Sequence, residues 1–293
     1  MSDFEADTLQ RFVFEEHEVR GELVHLRGSF QAALGDNDYP PVLVAQLGQA
    51  FAASVLLGAT IKFKGSLIIQ LQSSGPVKML VAQCTDQRHI RGLARWQGEV
   101  NNGALADIFG QGSVAITINA ERQQDRYQGV VALEGDKLED ALENYFEQSE
   151  QLPTRLFLFA DQDQAVGLLL QRLPGEDDED DLWNRVNVLA ETVTAEEMLE
   201  LSGEDILYRL FHEEDIRLFD AEPVSFRCTC SREKIAAMIV SLGTNEAHSI
   251  VEEQGRIEVG CEFCNHQYTF DTVDVEQLFA TDITTTPSPD SLQ

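Results

Sequence analysis

The 293-residue chain carries 51 acidic and 21 basic side chains, a net charge of −30. That balance disfavours nucleic acid and anionic membranes as main partners, since both need concentrated Lys and Arg, and it favours a highly soluble chain kept apart by like-charge repulsion. A hydrophobic fraction of 43% can supply one large domain and a smaller module. No uninterrupted run of about 18 apolar residues signals a membrane span. The acidic start Met1-Ser2-Asp3-Phe4-Glu5 lacks the basic and apolar regions of an export signal, so a reducing cytoplasm is the expected compartment.

In chain order, residues 19–26 alternate loosely and read as a strand. Pro40-Pro41 then opens an apolar helical run over 42–57, with Leu43, Leu47, Phe51 and Ser54 at helix spacing and enough Ala and Gly to predict burial. Strands are expected at 61–63, 67–71 and 77–83, the last two joined as a hairpin through Ser74-Gly75-Pro76, and again at 89–96, 112–119 and 127–133. Residues 137–149 place Leu138, Ala141, Leu142, Tyr145 and Phe146 on one side of an amphipathic helix. A last hairpin pairs 155–160 with 165–170. Many strands with few crossover helices predict an α+β domain with mostly antiparallel sheet over residues 1–173.

At Leu173-Pro174-Gly175 the composition changes. Six consecutive acids, Glu176 to Asp181, lie in a segment, 174–222, that holds 17 acidic and 3 basic residues, a net of −14. Thr194-Ala195-Glu196-Glu197 has the form of a capping box before Met198, Leu199 and Leu201. Ser202-Gly203-Glu204-Asp205 opens a second short helix carrying Ile206, Leu207, Leu210 and Phe211. Helices this short, with self-repelling acidic faces, are marginal alone and are expected to be ordered only while docked on a neighbour. The segment is either a solvated helical linker or a metastable element that can be released.

Cys228-Thr229-Cys230 and Cys261-Glu262-Phe263-Cys264 hold four of the five cysteines. They fall in a small module, 223–280, with helical patterns after Ser231 and Gly243 and strands at 256–259 and 268–270. The tail, 281–293, is expected to be disordered. Two thiol pairs in one small module predict a tetrahedral, all-thiolate Zn2+ site with no open position, and folding of the module should depend on that metal. Arg227, Arg232 and Lys234 flank the first pair and are expected to favour its thiolates. His266 is an alternative ligand, and Cys84, on a predicted strand, reads as a small core residue. His17, His25, His89, His212 and His248 are scattered without visible partners. No phosphate-binding loop, His-Glu-x-x-His or nucleophile elbow is present, so nothing indicates an enzyme. Cys261-x-x-Cys264 lacks the strand-to-helix setting of a thioredoxin motif. Two readings stand on these residues. In one, zinc is inert in a constitutive zinc ribbon whose acidic surroundings bind a basic partner. In the other, metal loss unfolds the neighbour of a marginal linker. A Cys228–Cys230 disulfide would close a very small ring, strained and oxidising rather than a permanent staple.

Three stretches add a resemblance that covers essentially the whole chain. Phe226-Arg227-Cys228-Thr229-Cys230-Ser231-Arg232-Glu233 with the later Cys261-x-x-Cys264, the segment Tyr145 to Thr154, and Leu207-Tyr208-Arg209-Leu210-Phe211-His212-Glu213-Glu214 resemble the redox-regulated 33-kDa heat-shock chaperones, bacterial holdases. The resemblance implies a folded, inactive monomer with one Zn2+ on Cys228, Cys230, Cys261 and Cys264 in the reduced cytosol. It implies that oxidation closes Cys228–Cys230 and Cys261–Cys264 disulfides, releases zinc and unfolds the linker. The activated protein, a homodimer, then holds unfolding client proteins without ATP and passes them to ATP-dependent foldases. No role is carried onto Cys84. On the physical reading, the linker stripe Met198, Leu199, Ile206, Leu207, Leu210 and Phe211 is the first candidate client-binding surface, and the face it covers is the second.

Overall fold

The computed structural model describes residues 7–15, 17–120, 126–174 and 180–282. Most of the acid run, 176–179, and nearly all of the expected tail, 283–293, therefore lie outside the described residues. The elements follow in order as β1 (Thr8–Phe14), β2 (Val19–Leu26), α1 (Gly28–Leu34), α2 (Pro41–Thr60), β3 (Gly65–Ser73), β4 (Val77–Thr85), β5 (His89–Trp96) and α3 (Leu105–Phe109). Next come β6 (Gly112–Ala120), β7 (Arg126–Ala132), α4 (Leu138–Tyr145), β8 (Thr154–Ala160), β9 (Ala165–Arg172), α5 (Asp180–Ala190), α6 (Ala195–Glu200) and α7 (Gly203–Phe211). The last are β10 (Ile216–Leu218), β11 (Glu222–Pro223), β12 (Ser225–Phe226), α8 (Arg232–Leu242), α9 (Thr244–Gln254), β13 (Ile257–Gly260), β14 (Gln267–Phe270) and α10 (Thr272–Asp282). The chain divides into two compact units between Arg227 and Cys228.

Two sheets build the first unit. One has the order β10-β1-β2-β9-β8, with β11 also paired to β1; the other has the order β12-β5-β4-β3-β6-β7. Every pairing is antiparallel except the short parallel contact of β12 with β5. The expected α+β class with mostly antiparallel sheet is thus what forms.

Helix α2 explains how the sheets share a core. Pro at its first turn costs nothing, because that N–H would be unpaired anyway. The helix is long and apolar enough to cross a membrane, yet Leu43, Leu47, Phe51, Val55, Leu56 and Leu57 are buried. Its small residues let strands approach: a Cβ on Gly48 would fall 2.6 Å from Ala160 Cβ of β8. On its other side Phe51 lies against Gly92 of β5. Cys84, fully buried beside Gly58 of α2, joins the same core.

The first sheet is covered on both faces. Leu9 and Val24 face the α2 core, while Phe12, Phe14, Leu23, Leu168 and Leu170 point to a second apolar layer. In β9 every residue from Ala165 to Gln171 is buried, as expected of a strand inside a stack rather than on a surface. Helices α5, α6 and α7 supply the covering layer through Leu182, Val186, Met198, Ile206, Leu210 and Phe211. The Phe12 ring lies directly over Gly21 on β2, where any side chain would collide with it.

Two expected elements differ. Residues 61–63 form no strand; they are the irregular exit from α2, where the Thr60 hydroxyl bonds back to the Leu57 carbonyl at 2.9 Å. The helix expected over 137–149 is α4 followed by a π-turn at Phe146–Glu150, closed by Gln151 in the left-handed region. Helix α4 aims Glu139 and Glu143 at β8, an edge strand, where they accept from Leu158 N at 3.1 Å and Leu156 N at 2.7 Å.

The second unit packs α8, α9 and α10 with the β13–β14 hairpin around Ile239, Ala247, Val251, Ile257, Phe270 and Val275. So small an apolar core gives limited stability, and such modules usually carry a disulfide or metal staple.

Candidate metal centre

Each cysteine pair sits in a loop that a neighbouring element fixes. Cys228 and Cys230 precede α8, whose first turn is capped by Ser231 accepting from Lys234 N at 3.3 Å. Cys261 and Cys264 lie in the turn of the β13–β14 hairpin. There Cys261 N donates to His266 O at 3.0 Å, Asn265 N donates to Cys261 O at 2.7 Å, and Asn265 takes the left-handed conformation that turns the chain. Arg232 fastens the first loop's helix to the hairpin. Its guanidinium stacks 4.1 Å over the Phe270 ring, donates to Thr269 O at 2.8 Å and pairs with Asp274 at 2.8 Å.

The four sulfurs converge, all within 4.8 Å of one another. Two approaches join the loops: Cys228 Sγ to Cys261 Sγ is 3.6 Å, and Cys230 Sγ to Cys264 Sγ is 3.4 Å. Zinc–sulfur bonds of about 2.3 Å in a tetrahedron place sulfurs about 3.8 Å apart, so the cage is of the right size for such an ion. All four cysteines are free thiols and half-buried.

The donor chemistry points the same way. Burial pushes the Cys228 thiol up and Cys264 up to about 12. For Cys230 burial acts in the same sense, but hydrogen bonds from Tyr268, Cys264, Cys228 and Cys261 outweigh it and bring the thiol down to about 7. Burial thus opposes ionisation at Cys228 and Cys264, while hydrogen bonds favour it at Cys230. A divalent cation at the centre of the cage removes that opposition, since coordinated thiols are deprotonated outright. The residues present fit a metal ion held by four thiolates.

Two of the flanking cations have fixed partners. Arg232 is spent on Asp274, Thr269 and Phe270, and Lys234 Nζ donates to Thr229 O at 2.6 Å. These side chains therefore also hold the loops in place. His266 stands outside the sulfur group, its ring edge-on to Tyr268 at 4.6 Å. Sequence reading missed Tyr268, whose hydroxyl reaches Cys230 Sγ at 3.2 Å. Only its position four residues after Cys264, on the return strand, could have drawn attention to it.

The linker stripe belongs to the first unit. Met198, Ile206, Leu207, Leu210 and Phe211 are each 4% exposed or less, and Leu199 is half-buried. Phe211 meets Phe14 edge-on at 5.3 Å and Phe12 at 6.3 Å. Sequence reading also missed α5, whose Leu182, Val186 and Ala190 repeat at helix spacing on the same buried face; the acid run ahead of them masks that period.

A family model described as Hsp33 protein matches residues 7–271. The 33 kDa chaperonin of Nitrosococcus oceani is 56% identical over 273 residues, covering 93% of this chain and 94% of that one. The 33 kDa chaperonin of Shewanella sp. (strain ANA-3) is 47% identical over 275 residues, covering 94% and 96%. The crystal structure of a 33 kDa chaperonin, a heat shock protein 33 homologue from Thermotoga maritima, superposes with a TM-score of 0.83 at 21% identity over 95% of this chain and 99% of that one, a likeness of fold.

Proposed function

This chain belongs to the Hsp33 family of chaperones, and from that premise we propose that it is a redox-regulated, ATP-independent holdase of the cytoplasm rather than an enzyme. Residues 1–173 act as the core domain, 174–222 as the releasable linker and 223–280 as the switch. The observation that carries the reading is the gathering of four unoxidised sulfurs within 4.8 Å of one another. Cys228, Cys230, Cys261 and Cys264 hold one Zn2+, which when bound supplies the charge that keeps four neighbouring thiolates deprotonated and ties the two loops together.

Peroxide removes two electrons from each pair. One thiolate sulfur attacks the O–O bond and becomes a sulfenic acid, with one oxygen leaving as water. Its partner's sulfur then displaces the second oxygen as water and closes Cys228–Cys230 or Cys261–Cys264. A sulfur in a disulfide no longer serves as a thiolate donor, so the loops lose their common anchor. The small core of the second unit then has little to hold it.

The linker follows because its helices are short and depend on docking. Release exposes Met198, Leu199, Ile206, Leu207, Leu210 and Phe211 together with the facing Phe12, Phe14, Leu168 and Leu170. Both surfaces are apolar and lie on a strongly acidic, self-repelling chain, which suits holding unfolding clients in solution. The reduced monomer becomes a homodimer on activation, and ATP-dependent foldases receive its clients. The test treats zinc-loaded protein with peroxide at elevated temperature, following zinc with a chromogenic chelator and a heat-denatured client by light scattering. Zinc release with suppressed scattering is expected. Retained zinc removes the switch, and zinc release with a client that aggregates as in buffer removes the chaperone.

A further inference from the structure

Tyr268 reaches the sulfur cage at Cys230. It lies on β14 opposite Val259 of β13, with its ring 9% exposed in the core of the second unit. The His266 ring packs edge-on against it at 4.6 Å. Its hydroxyl is 3.2 Å from Cys230 Sγ. A phenol has a proton to give and a thiolate has only lone pairs to receive it, so with the metal-binding thiolates formed the direction is fixed: Oη–H donates to Cys230.

Resting on the zinc-switch reading above, we propose that Tyr268 is a positioning residue of the switch: its hydrogen bond to Cys230 Sγ retards oxidation of that sulfur, leaving Cys228 to meet peroxide and Cys230 to resolve it. The chemistry is attack by a sulfur lone pair on the peroxide O–O bond. A metal-bound cysteine sulfur keeps two lone pairs, and Tyr268 engages one of them on Cys230. Hydrogen bonding also draws electron density from the sulfur and lowers its nucleophilicity.

The two steps then divide between the cysteines. The Cys228 sulfur attacks hydrogen peroxide: an S–O bond forms, the O–O bond breaks, and the departing hydroxide takes a proton and leaves as water. Cys230 slips its hydrogen bond and attacks the Cys228 sulfenic sulfur. An S–S bond forms, the S–O bond breaks, and the second hydroxide is protonated to water. Two thiolates have lost two electrons and peroxide has become two waters. Tyr268 is neither oxidised nor consumed; the bond it makes sets which sulfur goes first.

The experiment uses the full-length, zinc-loaded protein. A brief peroxide pulse is quenched with a 1,3-dione that traps sulfenic acids, and the adducts are located by peptide mass spectrometry while a chelator reports zinc. In the wild type the adduct is expected on Cys228 in preference to Cys230. In Tyr268→Phe, which keeps the ring, an adduct on Cys230 is expected to appear and zinc release to quicken on the order of tenfold, the usual scale for losing an outer partner of a metal ligand. Cys230 as the main adduct in the wild type overturns the proposal, and that result does not depend on how the variant folds. So does a Tyr268→Phe protein with the same adduct ratio and release rate as wild type. A wild type that keeps its zinc under peroxide overturns the switch itself, which separates the two failures.

Discussion

Glu22 is a residue at which burial and charge compete. It lies on β2, 1% exposed, with Oε2 lacking a hydrogen bond. Burial pushes its carboxyl up to about 7 against the pull of Arg20, Arg88 and Arg11, with Glu222 adding to the rise. The fold therefore keeps a proton that the unfolded chain gives up near 4.5. The stability this adds is complete below about pH 4.5 and is lost as pH rises through about 7. Glu22→Gln keeps the shape and removes the titration. Its stability relative to wild type is expected to improve by about 2.5 kcal/mol between about pH 5 and pH 8, because about two of the two and a half units, at 1.36 kcal/mol each, fall inside that window. Calorimetric melting at the two pH values checks this, and a difference that does not change with pH sinks it. The comparison with wild type is needed because His25 acts in the opposite sense. Burial holds its imidazole down to about 4, against the backbone of Leu201 and Met198, which favours the charged form, so it withdraws stability as pH falls below about 6.5. Neither role was legible in the sequence. Both residues sit on a strand that looks ordinary until α2 on one face and the linker on the other deny it solvent.

Among the elements, the linker helices show what local sequence can and cannot reveal. Both helix starts were legible, because a cap is a local bond: Thr194 accepts from Glu197 N at 3.2 Å and Ser202 from Asp205 N at 3.2 Å. The apolar stripe was legible from its period. What it packs against was not, since β1 was not recognised as a strand and the second apolar face of its sheet emerges only from pairing with β2 and β9. Strands β10, β11 and β12, two or three residues each, are too short to leave a pattern. The docking makes a prediction at this scale. Phe211 is 1% exposed and meets two phenylalanines of β1, and Phe→Ala in such a setting costs about 3–5 kcal/mol. A short helix that depends on docking cannot absorb that loss. Phe211→Ala is therefore expected to hold a heat-denatured client under reducing conditions with zinc still bound, by light scattering and metal analysis. Client aggregation at the buffer rate would remove the linker stripe from the mechanism.

At the scale of the molecule, the proposed switch requires four cysteines to act on a linker in a different compact unit. The cysteines themselves were legible because metal ligation depends on residue type and spacing, whereas the coupling depends on where the chain runs before them. Glu222 and Pro223 pair with β1, and Glu222 is held by Arg11 and, at 3.1 Å, by Arg88. Ser225 and Phe226 then pair with β5, and Arg227 N donates to Ile90 O at 3.1 Å. The chain from the linker to Arg227 is thus pinned successively to both sheets, and the first cysteine loop begins at the next residue. Strand β1, which holds β10 and β11, also supplies Phe12 and Phe14 to the linker helices. Disorder entering at Cys228 meets first β12 and β11, two residues each, before it reaches the docked helices. Cys261→Ser breaks the cage from the far loop and leaves this path untouched in sequence. It is expected to weaken zinc binding by about a hundredfold or more, the outer end of what losing even a supporting partner costs. Under fully reducing conditions it is also expected to make residues 180–211 about tenfold more accessible to protease, the response of a region whose local opening has become easier. Limited proteolysis with mass mapping of the cuts measures this directly. If zinc is lost while the linker resists protease as in wild type, metal binding and linker docking are independent, and activation must reach the linker by another route.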